Sequence, residues 1–198
     1  PLTAVEPDPA MVAGLRAEAE AAGVEVRLIE GHWPDAAAEA GRHDLALSAH
    51  VVYDVPDLGP FLAALDSAAR VAVVLEAGDR HPWANLAPYY RALHGLERPE
   101  GPSGDLLAEV VAEATGVRPE VERRLAPGGM RFADLQDLVE FYRRRLLAPA
   151  ARGAEVADLL APDIVERDGW LSLGGEQVVV TLWWRVKPRS PHPRPAGG

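Results

Sequence analysis

At 198 residues, with 48% hydrophobic residues and a formal charge of −10, the chain has room for one buried core and an ordinary globular composition. The acid excess weighs against binding by phosphate neutralisation, so neither nucleic acid nor an anionic membrane is an expected partner. There is no cysteine, which excludes disulfides, thiolate metal sites and cysteine nucleophiles; no apolar run reaches the ~20 residues of a membrane span, and cytoplasm is the expected compartment.

The chain opens on Leu2-Thr3-Ala4-Val5, which reads as the end of a buried strand, closed by Glu6 and followed by Pro7-Asp8-Pro9. An ionised acid at the tip of a parallel strand can accept hydrogen bonds from both ribose hydroxyls of a nucleotide-like ligand. The alternative is an acid that only caps the next helix. That helix is expected over residues 9–22, with apolar residues at helical spacing, Pro in the first turn and Gly23 after the end. Residues 24–29 are β-branched and predict a strand, followed by the loop Glu30-Gly31-His32-Trp33-Pro34-Asp35. A short helix is expected over 35–40 and a second buried strand over 44–49. A helix over 57–69 follows, with Asp57 as its N-cap. Val71-Ala72-Val73-Val74-Leu75 is a near-continuous apolar run, the kind buried on both faces of a parallel sheet.

Strand and helix thus alternate through the first eighty residues, which predicts an α/β fold: a Rossmann-like, mostly parallel sheet with helices on both faces. The second half differs. Helices are expected around 86–93, over 103–115, over 133–147 and over 153–160, with a strand over 117–125. Residues 170–173 and 177–186, separated by Gly174-Gly175, predict a C-terminal antiparallel hairpin with a glycine turn. One domain is expected over 1–186, with a disordered Pro/Gly-rich tail over 187–198. The basic run Arg143-Arg144-Arg145 reads as a solvated helix face.

The order and spacing of these motifs resemble class I S-adenosylmethionine-dependent methyltransferases, and most closely small actinobacterial members of that family. Thr3-Ala4-Val5-Glu6-Pro7-Asp8-Pro9 is similar to the family's second strand and its ribose-binding acid. Glu30-Gly31-His32-Trp33-Pro34 resembles the loop that borders the adenine. His43-Asp44-Leu45-Ala46-Leu47-Ser48-Ala49-His50 and the residues to Asp57 resemble the fourth-strand motif, and residues 71–76 and 178–184 resemble the fifth and the last strand. The resemblance implies S-adenosyl-L-methionine as cofactor, held by Glu6, Pro7, His32, Trp33, Ser48 and His50. His32 stands where the family often has an acid for the adenine amino group, and Trp33 would supply an apolar wall. It also implies direct displacement of the methyl group by a small organic acceptor, with alignment and exclusion of water as the protein's main work.

A base is needed only when the acceptor must lose a proton, and His50 or His81 is the candidate for it. Tyr53, Trp83, Tyr89 and Tyr90 are candidates for contacting the acceptor, the last two in a region that often forms a lid. Each also has a bland reading as packing. Glu76, Asp79 and His81 are spaced too loosely to make a metal set, so no metal is expected; a homodimer is a candidate assembly. The family's first strand and Gly-X-Gly loop have no counterpart here: no two of the 18 glycines are so spaced. That strand lies between the second and the fourth. The expectation is therefore a natural protein longer at its N-terminus, a strand supplied by a partner chain, or a rearranged sheet. A non-catalytic methyltransferase-like binding or oligomerisation module and a nicotinamide-dependent reductase are the competing readings.

Overall fold

The computed structural model describes residues 2–98, 103–174 and 176–187. Most of the tail expected to be disordered, and Gly175 of the expected glycine turn, lie outside the described residues.

The first strand, β1 (Leu2–Glu6), pairs in parallel with β2 (Val26–Glu30), in a register that sets Leu2 beside Val26 and Glu6 beside Glu30. Parallel pairing requires a crossover, and α1 (Pro9–Ala22) supplies it. Its ends are built as the residue types require. Asp8 accepts at the N-cap from the N–H groups of Ala10 and Met11, Pro9 sits in the first turn, and Gly23 closes the helix at φ +66°. Next come α2 (Ala37–Ala40), β3 (His43–Ala49), α3 (Leu58–Ala68) and β4 (Ala69–Gly78), with Asp57 capping α3 through the N–H of Gly59. The remaining elements are α4 (Ala87–His94), α5 (Gly104–Thr115), β5 (Glu120–Pro127), α6 (Leu135–Arg145), α7 (Gly153–Leu160), β6 (Ile164–Arg167), β7 (Trp170–Leu173) and β8 (Glu176–Arg185).

The strands form a two-stranded sheet β1-β2, a four-stranded sheet in the order β3-β4-β8-β5, and a two-stranded sheet β6-β7. The N–H of Val186 bonds to the carbonyl of Val71, and the N–H of Asp79 to the carbonyl of Val178. The partner number falls as the strand number rises, so β4 and β8 run antiparallel.

Contacts divide the chain into two compact units. The first comprises Pro1–Leu75, Ala108–Val121 and Leu182–Gly198. Its core is built from Phe61, Leu62 and Leu65 of α3, Val73 and Leu75 of β4, and Trp184, whose indole N–H donates to Asp66 at 2.9 Å. The second comprises Glu76–Leu107 and Glu122–Thr181. There Leu86, Leu138, Tyr142, Leu146, Val156 and Leu160 form one buried cluster.

Three expectations are corrected. The terminal hairpin is present but uses other strands: β7 pairs antiparallel with β6, not with β8. The turn is Asp168-Gly169, both residues at positive φ, which suits a two-residue hairpin and carries a signal as strong as Gly-Gly. β4 is not fully buried on both faces; from Ala72 its exposure alternates, with Val73, Leu75 and Ala77 inside and Ala72, Val74 and Glu76 half-buried, while Val71 near its start is 44% exposed. β3 is not a buried strand: Leu45 is 62% exposed and Leu47 70%. Leu45 and Leu47, two residues apart, share one face of β3, and that face is open to solvent, whereas Ser48 turns to the other face and is buried. Among the described residues β3 bonds only to β4 and β1 only to β2, so each keeps one unpaired edge.

Leu75→Ala, at a fully buried site, should cost about 2–5 kcal/mol. Leu47→Ala, by the same chemistry at an exposed site, should stay within about 0.5 kcal/mol of the parent. Urea denaturation of the two variants side by side checks the contrast.

Candidate active site

The expected cofactor residues all lie in the first unit, at strand ends or in the loops just after them. Because β1 and β2 are parallel and in register, Glu6 and Glu30 end side by side on one edge. The N–H of Gly31 bonds to the carbonyl of Glu6 at 3.2 Å, which ties the 30–34 loop to the end of β1. Pro7 follows Glu6 directly. Glu30, unremarked as a site residue in the sequence, is a second carboxylate at this edge; only the strand register reveals it.

Glu6 is already in use as a turn acid. Its Oε1 accepts from the N–H of Asp8 at 2.9 Å, which steadies the start of α1. A carboxylate offers about four acceptor positions, so this bond leaves capacity for ligand hydroxyls. Trp33 is half-buried and donates its indole N–H to the carbonyl of Phe61 at 3.1 Å, while His32 is exposed beside it. The wall that Trp33 forms is thus fixed by α3.

Ser48 stands out on β3. It is 6% exposed and its Oγ has no hydrogen-bond partner among the described residues. A buried unpaired hydroxyl costs on the order of 1–3 kcal/mol. Two residues on, His50 adopts φ +56°, a left-handed conformation uncommon outside glycine. The 3-10 turn at Val52–Asp54 returns Tyr53 to it, and His50 Nδ1 lies 3.2 Å from the Tyr53 hydroxyl. Backbone strain of this kind gathers at functional sites.

The other expected residues lie in the second unit. His81 Nδ1 accepts from the backbone N–H of Trp83 at 3.2 Å. That bond engages one ring nitrogen, Nδ1, and in the neutral ring places the proton on Nε2. Trp83 is held by the Arg145 guanidinium, 4.4 Å from its ring centre, and by the edge of Phe141. Tyr89 donates to Asp163 at 2.5 Å, and burial followed by that bond pushes its hydroxyl pKa up. Tyr90 packs on His94. His94 in turn bonds the carbonyl of Leu146 at 2.7 Å. These contacts fasten α4 to its own unit.

The remaining charged candidates are committed elsewhere. Glu76 pairs with Arg124 and Asp79 with Arg123, both at 3.1 Å. Among the described residues no three metal-ligating side chains come together, and no helix is long and apolar enough to cross a membrane. The run Arg143-Arg144-Arg145 is not a bare cationic patch. Arg143 and Arg144 both bond Glu140, Arg143 also reaches the carbonyl of Ala148, and Arg145 lies over Phe141.

Comparison with protein-family models gives no match, and comparison with curated proteins gives none. Among solved structures, a Bacillus halodurans protein provisionally assigned as a methyltransferase aligns with a TM-score of 0.54 at 14% identity, over 94% of this chain and 83% of its own. A protein of Anabaena variabilis, assigned in the same way to an antibiotic biosynthesis pathway, aligns with a TM-score of 0.50 at 16% identity, over 91% of this chain and 80% of its own. The fold is the methyltransferase Rossmann-like fold. In that fold the strand-end residues Glu6, Ser48 and His50 occupy the kind of place where open α/β sheets bind ligands.

The α6 ion pairs carry a pH signature. The hydrogen bond from Arg143, assisted by Arg144, holds the Glu140 carboxyl at about 2, below its ordinary 4.5. A depressed carboxyl pKa adds stability above the unfolded value, and that contribution is lost as pH falls through the folded value. The stability difference between the parent and Glu140→Gln should therefore be constant above about pH 5, shrink as pH falls toward 2 and vanish only below it. Urea midpoints across that range check it.

Proposed function

We propose that this chain binds S-adenosylmethionine and takes part in methyl transfer to a small organic acceptor by direct displacement. The observation that carries the reading is the parallel β1-β2 edge, with Glu6 at the carboxyl end of β1, within the methyltransferase Rossmann-like fold. The residues present suit the cofactor. The buried, unpartnered Oγ of Ser48 is a polar group in want of a ligand, and Glu6 retains acceptor capacity.

Glu6 would hold the ribose hydroxyls, His32 and Trp33 would border the adenine, and Ser48 and His50 would stand toward the reactive end. S-adenosylmethionine supplies a methyl group that its sulfonium already makes electrophilic. The chain's own work is then to align the acceptor and exclude water. Where the acceptor carries a proton, His50 is the better-placed base. Its Tyr53 contact can orient the ring, and it follows the strand that carries Ser48, whereas His81 lies in the second unit.

The second reading is a non-catalytic module of the same fold. The unpaired edges of β1 and β3 favour it, because a site built on them lacks a backbone neighbour on one side.

Calorimetry with S-adenosylmethionine separates the two. The chain should bind, and Glu6→Ala should weaken binding about tenfold or more, the scale of one lost charge-assisted hydrogen bond, with little change in the urea midpoint. No binding by the parent would leave the non-catalytic module. His50→Ala should lower turnover more than cofactor affinity; unchanged turnover would make His50 structural.

A further inference from the structure

The second unit holds a cleft of about 430 Å³, the size class of small organic ligands. The loop after β4, the Gly128-Gly129 turn after β5, Tyr142 of α6, Leu173 and the start of β8 line it. Three features define what it can take.

One wall is aromatic and rigid. Trp83 lines the cleft while Arg145, 4.4 Å from its ring centre, and the edge of Phe141 fix its plane. Another wall is bare backbone. Gly129 has φ +85°, and a Cβ there would lie 2.8 Å from the carbonyl oxygen of Leu173, so no side chain can project at that point. A fixed ring and an uncluttered peptide wall suit a flat molecule.

The third feature is charge. The Asp79 carboxylate at the rim is held by Arg123, whose other arm holds Asp105 at 2.5 Å. Glu176 and Arg80 bring one charge of each sign to the lining, and the other lining groups include the neutral carboxamides of Asn85 and Gln177. Neither sign dominates, so a charged ligand would lose hydration without gaining an opposed charge. The carboxamides both donate and accept, which matches carbonyl and hydroxyl groups.

We propose that this cleft binds a flat, uncharged aromatic molecule that carries carbonyl or hydroxyl groups at its rim. This binding is independent of the methyl-transfer reading.

The test is ligand-observed NMR on the full chain, in mildly acidic buffer, with three probes that share one ring: acetovanillone (neutral), vanillate (anionic) and vanillylamine (cationic). Acetovanillone should bind saturably and about tenfold more tightly than either charged probe. Gln177→Glu, at an exposed position, should leave the fold intact and turn the preference toward vanillylamine. Trp83→Leu should weaken all three. No binding of acetovanillone, equal binding of the three probes, or a ranking unmoved by Gln177→Glu would overturn the proposal. Calorimetry with S-adenosylmethionine keeps the two readings apart. Cofactor binding without probe binding defeats the cleft alone, and probe binding without cofactor binding defeats methyl transfer alone.

Discussion

The antiparallel pairing of β4 with β8 is the interaction on which the rest of the structure depends. Two ten-residue strands share a register fixed by the Val186–Val71 and Asp79–Val178 bonds. That register, with the two-residue period of a strand, decides which side chains turn inward. Val73 and Leu75 on β4, and Val180, Leu182 and Trp184 on β8, are all buried to 2% exposure or less. A slip by one residue would turn that set outward. The bond from Trp184 to Asp66 then fastens α3 to the same strand.

The proposed cofactor site rests on a different ladder. Parallel pairing of β1 with β2 brings two carboxyl ends, and the loops after them, to one edge. A strand-end acid, a fixed indole and a tied loop follow from that single geometric fact. On β3 the structure stores two costs close together, the unpaired Ser48 hydroxyl and the left-handed His50. Proteins retain such costs where something else uses the groups. The exposed Leu45 and Leu47 lie on the opposite face of the same strand from Ser48.

Much of the fold was legible in the residues. Asp8-Pro9 and Gly23 delimit α1, Asp57 caps α3 and Gly116 follows α5, because caps act through local backbone geometry that a sequence displays directly. The hairpin was misassigned because Gly174-Gly175 and Asp168-Gly169 are both competent turns, and only the positions of the flanking strands choose between them. The strand β6 went unread because four residues give too little periodicity to see. Glu6 was visible as a strand-end acid. That its oxygen also closes a turn onto Asp8 was not, since side-chain direction depends on the backbone around it.

By itself the sequence determined the alternation of strand and helix, the helix caps, the absence of cysteine chemistry and the positions of the carboxylates and histidines. These are local or compositional properties. Tertiary structure alone decided which strand pairs with which, that Glu30 stands beside Glu6, that Trp33 bonds the carbonyl of Phe61, that Tyr89 bonds Asp163 and that Trp184 bonds Asp66. The physical reason is separation along the chain. Pairing, burial and hydrogen-bond partners join residues that are tens of positions apart, and no local pattern fixes them.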